Sequence, residues 1–198
     1  MFTRHSILLV VIGFATQCAA DTIHVPREHQ TIQAAIDTAS SGDVVVVEPG
    51  KYLERIRLKD GVTVRSAGGN SDDESGMRRA EATMIDGGGK EGNLPGVVIA
   101  EGSTLDGFTV TNVGLYDEAT WNKHHDSQGE GQPHEHIGQF GLPAIGIVGV
   151  NCTVTNCIVH HKGDTDIAIR GAKGTRCSPP CSCQHLLSQH GWWNWVDE

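Results

Sequence analysis

The residues best equipped for chemistry fall in two stretches. Between positions 115 and 142 the chain reads LYDEATWNKHHDSQGEGQPHEHIGQFGL, with His124, His125, Asp126, His134 and His136 set among Asp117, Glu118, Glu130 and Glu135. Neutral imidazoles joined by a carboxylate form a ligand set for zinc or a related transition ion. His134 and His136, two apart, point the same way on an extended segment, because side chains alternate along a strand. The spacing matches no named zinc motif, so a metal site at His124, His125, Asp126, His134 and His136 and a solvated polar loop both stay open. A cofactor, if there is one, is expected to be a divalent metal, calcium or zinc.

The second stretch is His160-His161-Lys162-Gly163-Asp164-Thr165-Asp166, followed by Arg170 and Lys173. Imidazoles, two carboxylates and a guanidinium fall here within eleven positions. His160, His161, Asp164, Asp166 and Arg170 are therefore the candidate catalytic residues. The alternative is a turn shaped by Asp and Gly with a solvated arginine.

These residues need elements to position them. From Ala144 to Gly171 short β-branched runs (Ile145–Val148, Thr153-Val154, Cys157–Val159, Ile167–Ile169) alternate with Asn, Gly or Asp corners. Such strands are too closely spaced for ordinary hairpins. They suit a winding chain in which each strand pairs with its equivalent one turn away. A second copy supports this: Pro95–Gly114 lies over Ala144–Gly163 at an offset of 49 positions, apolar on apolar and corner on corner. Val98 then meets Ile147, Leu105 meets Val154, Gly107 meets Asn156, Val110 meets Val159 and Gly114 meets Gly163. An offset of 44 aligns Thr109–Asn112 with Thr153–Asn156 and little else. Similarity at a fixed period marks a repeat architecture.

Earlier in the chain, Thr22–Pro26 reads as a short strand. Ile32, Ala35, Ile36 and Ala39 share the spacing of one helix face, with Thr31 as N-cap and Ser40-Ser41-Gly42 as the stop. This helix is expected to cover the end of the apolar core. Asp43–Glu48 (DVVVVE) is expected to be a strand buried on both faces. Gly68–Glu81 reads as a polar loop without periodicity, and 115–142 as an insertion that leaves the repeat and returns. Long insertions of that kind often carry function.

The repeated unit and the opening TIQAAIDTASSGDVVVVEPGKYLERIRLKDGVTVRSAGG resemble right-handed parallel β-helix proteins of the pectin-lyase-like superfamily. The resemblance spans roughly Thr22 to Arg176. Gly50, Tyr52 and Glu54 match the Gly-x-Tyr-x-Glu pattern of pectinesterases, a pattern that is mostly structural. The resemblance implies an all-β fold, a right-handed parallel β-helix with a short N-terminal capping α-helix. It also implies an acidic polysaccharide as partner. In β-helix lyases, calcium-binding carboxylates sit beside an Arg or Lys that removes the proton next to the sugar carboxylate, and β-helix hydrolases use paired carboxylates. Asp164, Asp166 and Arg170 supply the first set by type, but no complete lyase, hydrolase or esterase signature is present. A non-catalytic glycan-binding or structural solenoid, or a non-functional fragment of a longer enzyme, are the alternatives.

The rest of the sequence bounds the setting. A formal charge of −9 without a basic cluster argues against nucleic acid and anionic membranes as partners. Residues 1–20 carry Arg4, an apolar run and small residues up to Ala20, which reads as a secretory signal, so the chain is expected to be secreted or periplasmic. The expected β-helix domain is 21–176, with the insertion at 115–142. No later run approaches the roughly 18 apolar residues of a spanning helix. Cys152 and Cys157 occupy corners of one repeat, and no disulfide pairing can be deduced from the spacing.

The segment 177–198, CSPPCSCQHLLSQHGWWNWVDE, breaks the pattern. Tryptophan has the single codon TGG, so Trp192-Trp193-Asn194-Trp195, read one base later, becomes Gly-Gly-Ile/Thr-Gly. A frameshift that replaced further repeats is the expectation for 177–198, and a genuine metal-binding or aromatic tail is its rival.

Overall fold

A computed structural model describes residues 19–68, 73–89, 94–114, 119, 143–162 and 167–170. Most of the expected leader, the insertion 115–142 apart from Ala119, and the tail 177–198 lie outside these residues. The described chain is mostly strand, paired in parallel throughout, with two short helices.

The strands are β1 (Thr22–Val25), β2 (Val44–Val47), β3 (Gly50–Leu53), β4 (Ile56–Arg57), β5 (Thr63–Ser66), β6 (Thr83–Gly89), β7 (Val97–Val98), β8 (Thr104–Asp106), β9 (Thr109–Val113), β10 (Ile145–Val148), β11 (Thr153–Thr155), β12 (Ile158–Lys162) and β13 (Ile167–Arg170). They build three sheets in rotation. Sheet A orders β1-β2-β5-β8-β11, sheet B orders β12-β9-β6-β3, and sheet C orders β13-β10-β7-β4. From β2 onward, each pass of the chain adds one strand to A, then B, then C.

The registers explain the sequence pattern. In sheet A, Ile23, Val45, Val64, Leu105 and Val154 form one inward column, each residue the Cα partner of the next. Tyr52, Ile85, Val110 and Val159 do the same in sheet B. Ile56, Val97, Ile145 and Ile167 do so in sheet C. These columns belong to a single hydrophobic core. β2 alternates half-buried Val44 and Val46 with buried Val45 and Val47, so it is not buried on both faces as expected. Its outer side lies on the open face of sheet A.

The offset of 49 holds in sheets A and B, where Leu105 pairs with Val154 and Val110 with Val159. In sheet C the offset is 48, and Val98 pairs with Gly146 rather than Ile147. Between Gly146 and Thr153 the later pass has one residue more than the earlier pass has between Val98 and Thr104. Ile99 therefore follows Gly146, donating its N–H to that carbonyl at 3.0 Å.

Helix α1 (Ile32–Thr38) buries Ile32, Ala35 and Ile36 and packs on β1, β2 and β4. The Thr31 hydroxyl accepts from Ala34 N–H at 3.2 Å, as the N-cap reading expects. Both ends also receive charge from the first pass. The Glu54 carboxylate accepts from Ile32 N–H (2.9 Å) and Gln33 N–H (3.0 Å). The Lys59 ammonium donates to the Asp37 and Ala39 carbonyls at the other end. Negative charge at the N-terminus and positive charge at the C-terminus complement the helix dipole.

Most of the stretch expected to be a loop, Gly68–Glu81, falls instead in helix α2 (Asp73–Ala82). It lacks a broad apolar face, which is why periodicity missed it; polar anchors hold it instead. The Arg79 guanidinium is buried to 5% exposure. It donates to both oxygens of Asp106 (3.0 Å each), to the Ser66 carbonyl (3.0 Å) and to the Ser66 hydroxyl (3.2 Å). The Ala80 carbonyl accepts from the Thr109 hydroxyl at 2.8 Å, which fixes α2 over sheet B.

Candidate functional site

Alternation along the strands sends Lys51, Asp86, Thr111 and His160 to the outer face of sheet B, opposite the Tyr52–Val159 column. Asp86, Thr111 and His160 are successive Cα partners. At Asp86–Gly89 the register with β9 shifts, and Asn112 takes φ 53° there. Such a bulge re-aims side chains and is frequent beside functional sites.

The bulge gathers a polar cluster around Asp86, which is buried to 3% exposure. The Lys51 ammonium lies 2.6 Å from Oδ2. The Asn112 amide (2.8 Å) and Gly88 N–H (2.9 Å) donate to Oδ1. Burial works against ionisation of Asp86, yet Lys51, Gly88 and Asn112 outweigh it and hold the carboxyl below its ordinary range. Next in the row, buried Thr111 Oγ1 and half-buried His160 Nδ1 are hydrogen-bonded at 3.2 Å. The result is a strip of exposed or half-exposed groups, Lys51, Asn112 and His160, each fixed by a buried partner.

Of the residues expected to do chemistry, His160 joins this strip. His161 lies beside it in β12, and Arg170 lies in β13, which belongs to sheet C, where it pairs with Val148. Asp164 and Asp166 lie outside the described residues, as do His124, His125, Asp126, His134 and His136. Among the described residues, no three His, Cys, Asp or Glu side chains are grouped to hold a metal.

Lys51, Asp86, Thr111 and Asn112 went unrecognised in the sequence. The one available signal was Asp86 opening a Gly-Gly-Gly run, because glycines inside a strand mark bulges and close approaches. The Gly-x-Tyr-x-Glu motif is structural: the Tyr52 hydroxyl donates to the Glu48 carbonyl at 2.8 Å, and Glu54 caps α1.

Cys152 and Cys157 are both buried, and the Cys157 thiol donates to the Thr155 carbonyl at 3.2 Å. No helix among the described residues is long and apolar enough to cross a membrane.

No protein-family model matches the chain, and no curated protein or solved structure matches it significantly.

Proposed function

We propose that the chain is a right-handed parallel β-helix, similar to the pectin-lyase-like proteins, and that it is exported to bind acidic polysaccharide. The fold reading is supported by the A-B-C rotation of parallel strands with in-register inward columns. The function reading is carried by the strip on sheet B. Lys51 on β3, Asn112 on β9 and His160 on β12 are spread across sheet B, and buried Asp86 (on β6) and Thr111 hold them in place. Preorganised donors in a row along stacked strands suit a linear anionic polymer, because little side-chain freedom is lost on binding.

Binding is favoured over acid–base catalysis at this strip. Asp86 is ionised and engaged by three donors, which leaves it neither a proton to give nor a free oxygen aimed outward. Cleavage of the pectate-lyase kind is tested in the same experiment. The protein is incubated with polygalacturonate, with and without calcium; affinity electrophoresis reads binding and ultraviolet absorbance reads unsaturated products. Retardation that weakens in Lys51→Met and His160→Ala is the expected outcome. No retardation by any acidic polysaccharide would overturn the reading, and new absorbance would make the protein a lyase.

A further inference from the structure

A second feature lies on the outer face of sheet C. A cleft of about 230 Å³ is lined by Gln33, Arg55, Arg57, Leu94, Pro95 and Val98, over the edge strand β4. It is smaller than the roughly 300–1,000 Å³ of sites for drug-sized ligands, a size suited to a single sugar ring.

Its electrostatics run against the rest of the chain. The protein carries a formal charge of −9, yet two guanidiniums line this cleft, and among the described residues neither pairs with a carboxylate. Among the described residues Arg55 donates to carbonyls, those of Gly87 (2.8 Å) and Gly89 (2.8 Å) and that of Leu94. Glu54, its neighbour in the chain, has both oxygens engaged at α1.

The side chain of Arg57 is exposed, and its backbone is held in place. Gln33 Oε1 accepts from Arg57 N–H at 2.7 Å, and Gln33 Nε2 donates to the Arg57 carbonyl at 3.3 Å. The amide of Gln33 thus stands where a further strand would pair with β4, and it fixes the base of the arginine. Arg55 in turn ties down the Gly87–Gly89 corner and the Leu94 carbonyl, and so positions the opposite wall. That wall is apolar: Leu94 is 48% exposed, with Pro95 and Val98 beside it.

We propose that this cleft binds one carboxylated sugar residue. Arg57 would take the carboxylate as a two-pronged donor, and the C–H face of the ring would lie on Leu94, Pro95 and Val98. Guanidinium charge that no carboxylate among the described residues pairs, beside exposed apolar surface, is the complement of a uronic acid, which has an anionic group on a ring with apolar faces. The inference rests on the acidic-polysaccharide reading and adds a site that the sheet B strip does not supply.

The test uses the full chain with trigalacturonate as probe. Calorimetry reads affinity, and methyl NMR reads the side chains of Leu94 and Val98. The expected result is a shift of those methyl signals on titration and a roughly tenfold loss of affinity in Arg57→Gln, the scale of one charge-assisted contact. Arg57 is exposed, so this variant should fold as the wild type does. If trigalacturonate binds Arg57→Gln as tightly as wild type and leaves the Leu94 and Val98 methyls unmoved, the cleft inference is overturned. In that case loss of binding in Lys51→Met would keep the functional reading. If wild type binds neither trigalacturonate nor the polymer, the functional reading falls and this site falls with it. A polyglutamate peptide moving the same methyls with equal affinity would overturn the assignment to a sugar.

Discussion

Asp86 shows how one side chain can look like a catalytic acid in type and act as a strut in place. Its folded pKa lies below the ordinary 3.8. The ionised form therefore contributes its full stability above that value, and the contribution is lost as pH falls through the lower folded pKa. Asp43, whose carboxylate accepts from Ser40 and Asp21 N–H groups, shifts in the same direction. Urea denaturation between about pH 5 and about pH 2 should show falling stability, with a shallower fall in Asp86→Asn. An unchanged slope in the variant would mean that Asp86 is not held as described. The residue scale also explains what the sequence hid. Asp86 and Lys51 are 35 positions apart in the chain, and only the β3–β6 register makes them a pair.

At the scale of elements, the seven-residue helix α1 is too short to be stable alone. It is held by its buried face and by charges at its ends. Glu54→Gln should lower stability by about 1–2 kcal/mol in chemical denaturation, the scale of a lost cap with its dipole interaction. It should leave polysaccharide binding at native temperature intact; loss of binding without loss of stability would give Glu54 a role beyond capping.

The corners give a second contrast. Gly107 has φ 84°, and a Cβ there would sit 2.4 Å from Ser66 Oγ and 2.7 Å from Arg79 Nη1. Gly42 has φ 98° with nothing within 4 Å of a Cβ. Gly42→Ala should cost about 1–2 kcal/mol for backbone strain alone. Gly107→Ala should cost more, because it also disturbs the clamp on α2. Equal midpoints for the two variants in a urea titration would refute the clamp.

For the molecule as a whole, stability comes from columns rather than from any one sheet. Leu105 is fully buried between Val64 and Val154 on β8 of sheet A. Leu105→Ala should cost about 2–5 kcal/mol, read as a lowered denaturation midpoint. On the edge strands β1 and β4, side chains take up free backbone groups. Glu28 accepts from His24 N–H at 3.0 Å and returns its own N–H to the His24 carbonyl at 2.8 Å. Gln33 does the equivalent for β4. Such plugs keep an exposed strand edge from pairing with another chain.

Much of this was legible in the amino-acid order. The repeat of 49 in sheets A and B, the short helix with Thr31 at its start and the inward columns follow from local periodicity, which a parallel ladder repeats on every pass. Where polar bonds between distant passes replace periodicity the pattern is silent, as at α2, which Arg79 anchors; the sheet C offset of 48 follows instead from the longer corner between Gly146 and Thr153. The strip on sheet B and the cleft at Arg57 exist only through register. Which outward residue stands beside which is set by the pairing register of each pass, and a corner can absorb an extra residue, as the one between Gly146 and Thr153 does, without disturbing the pairing that follows. Residue types and their periods therefore determined the strands and the core, and the tertiary structure alone decided which polar groups meet.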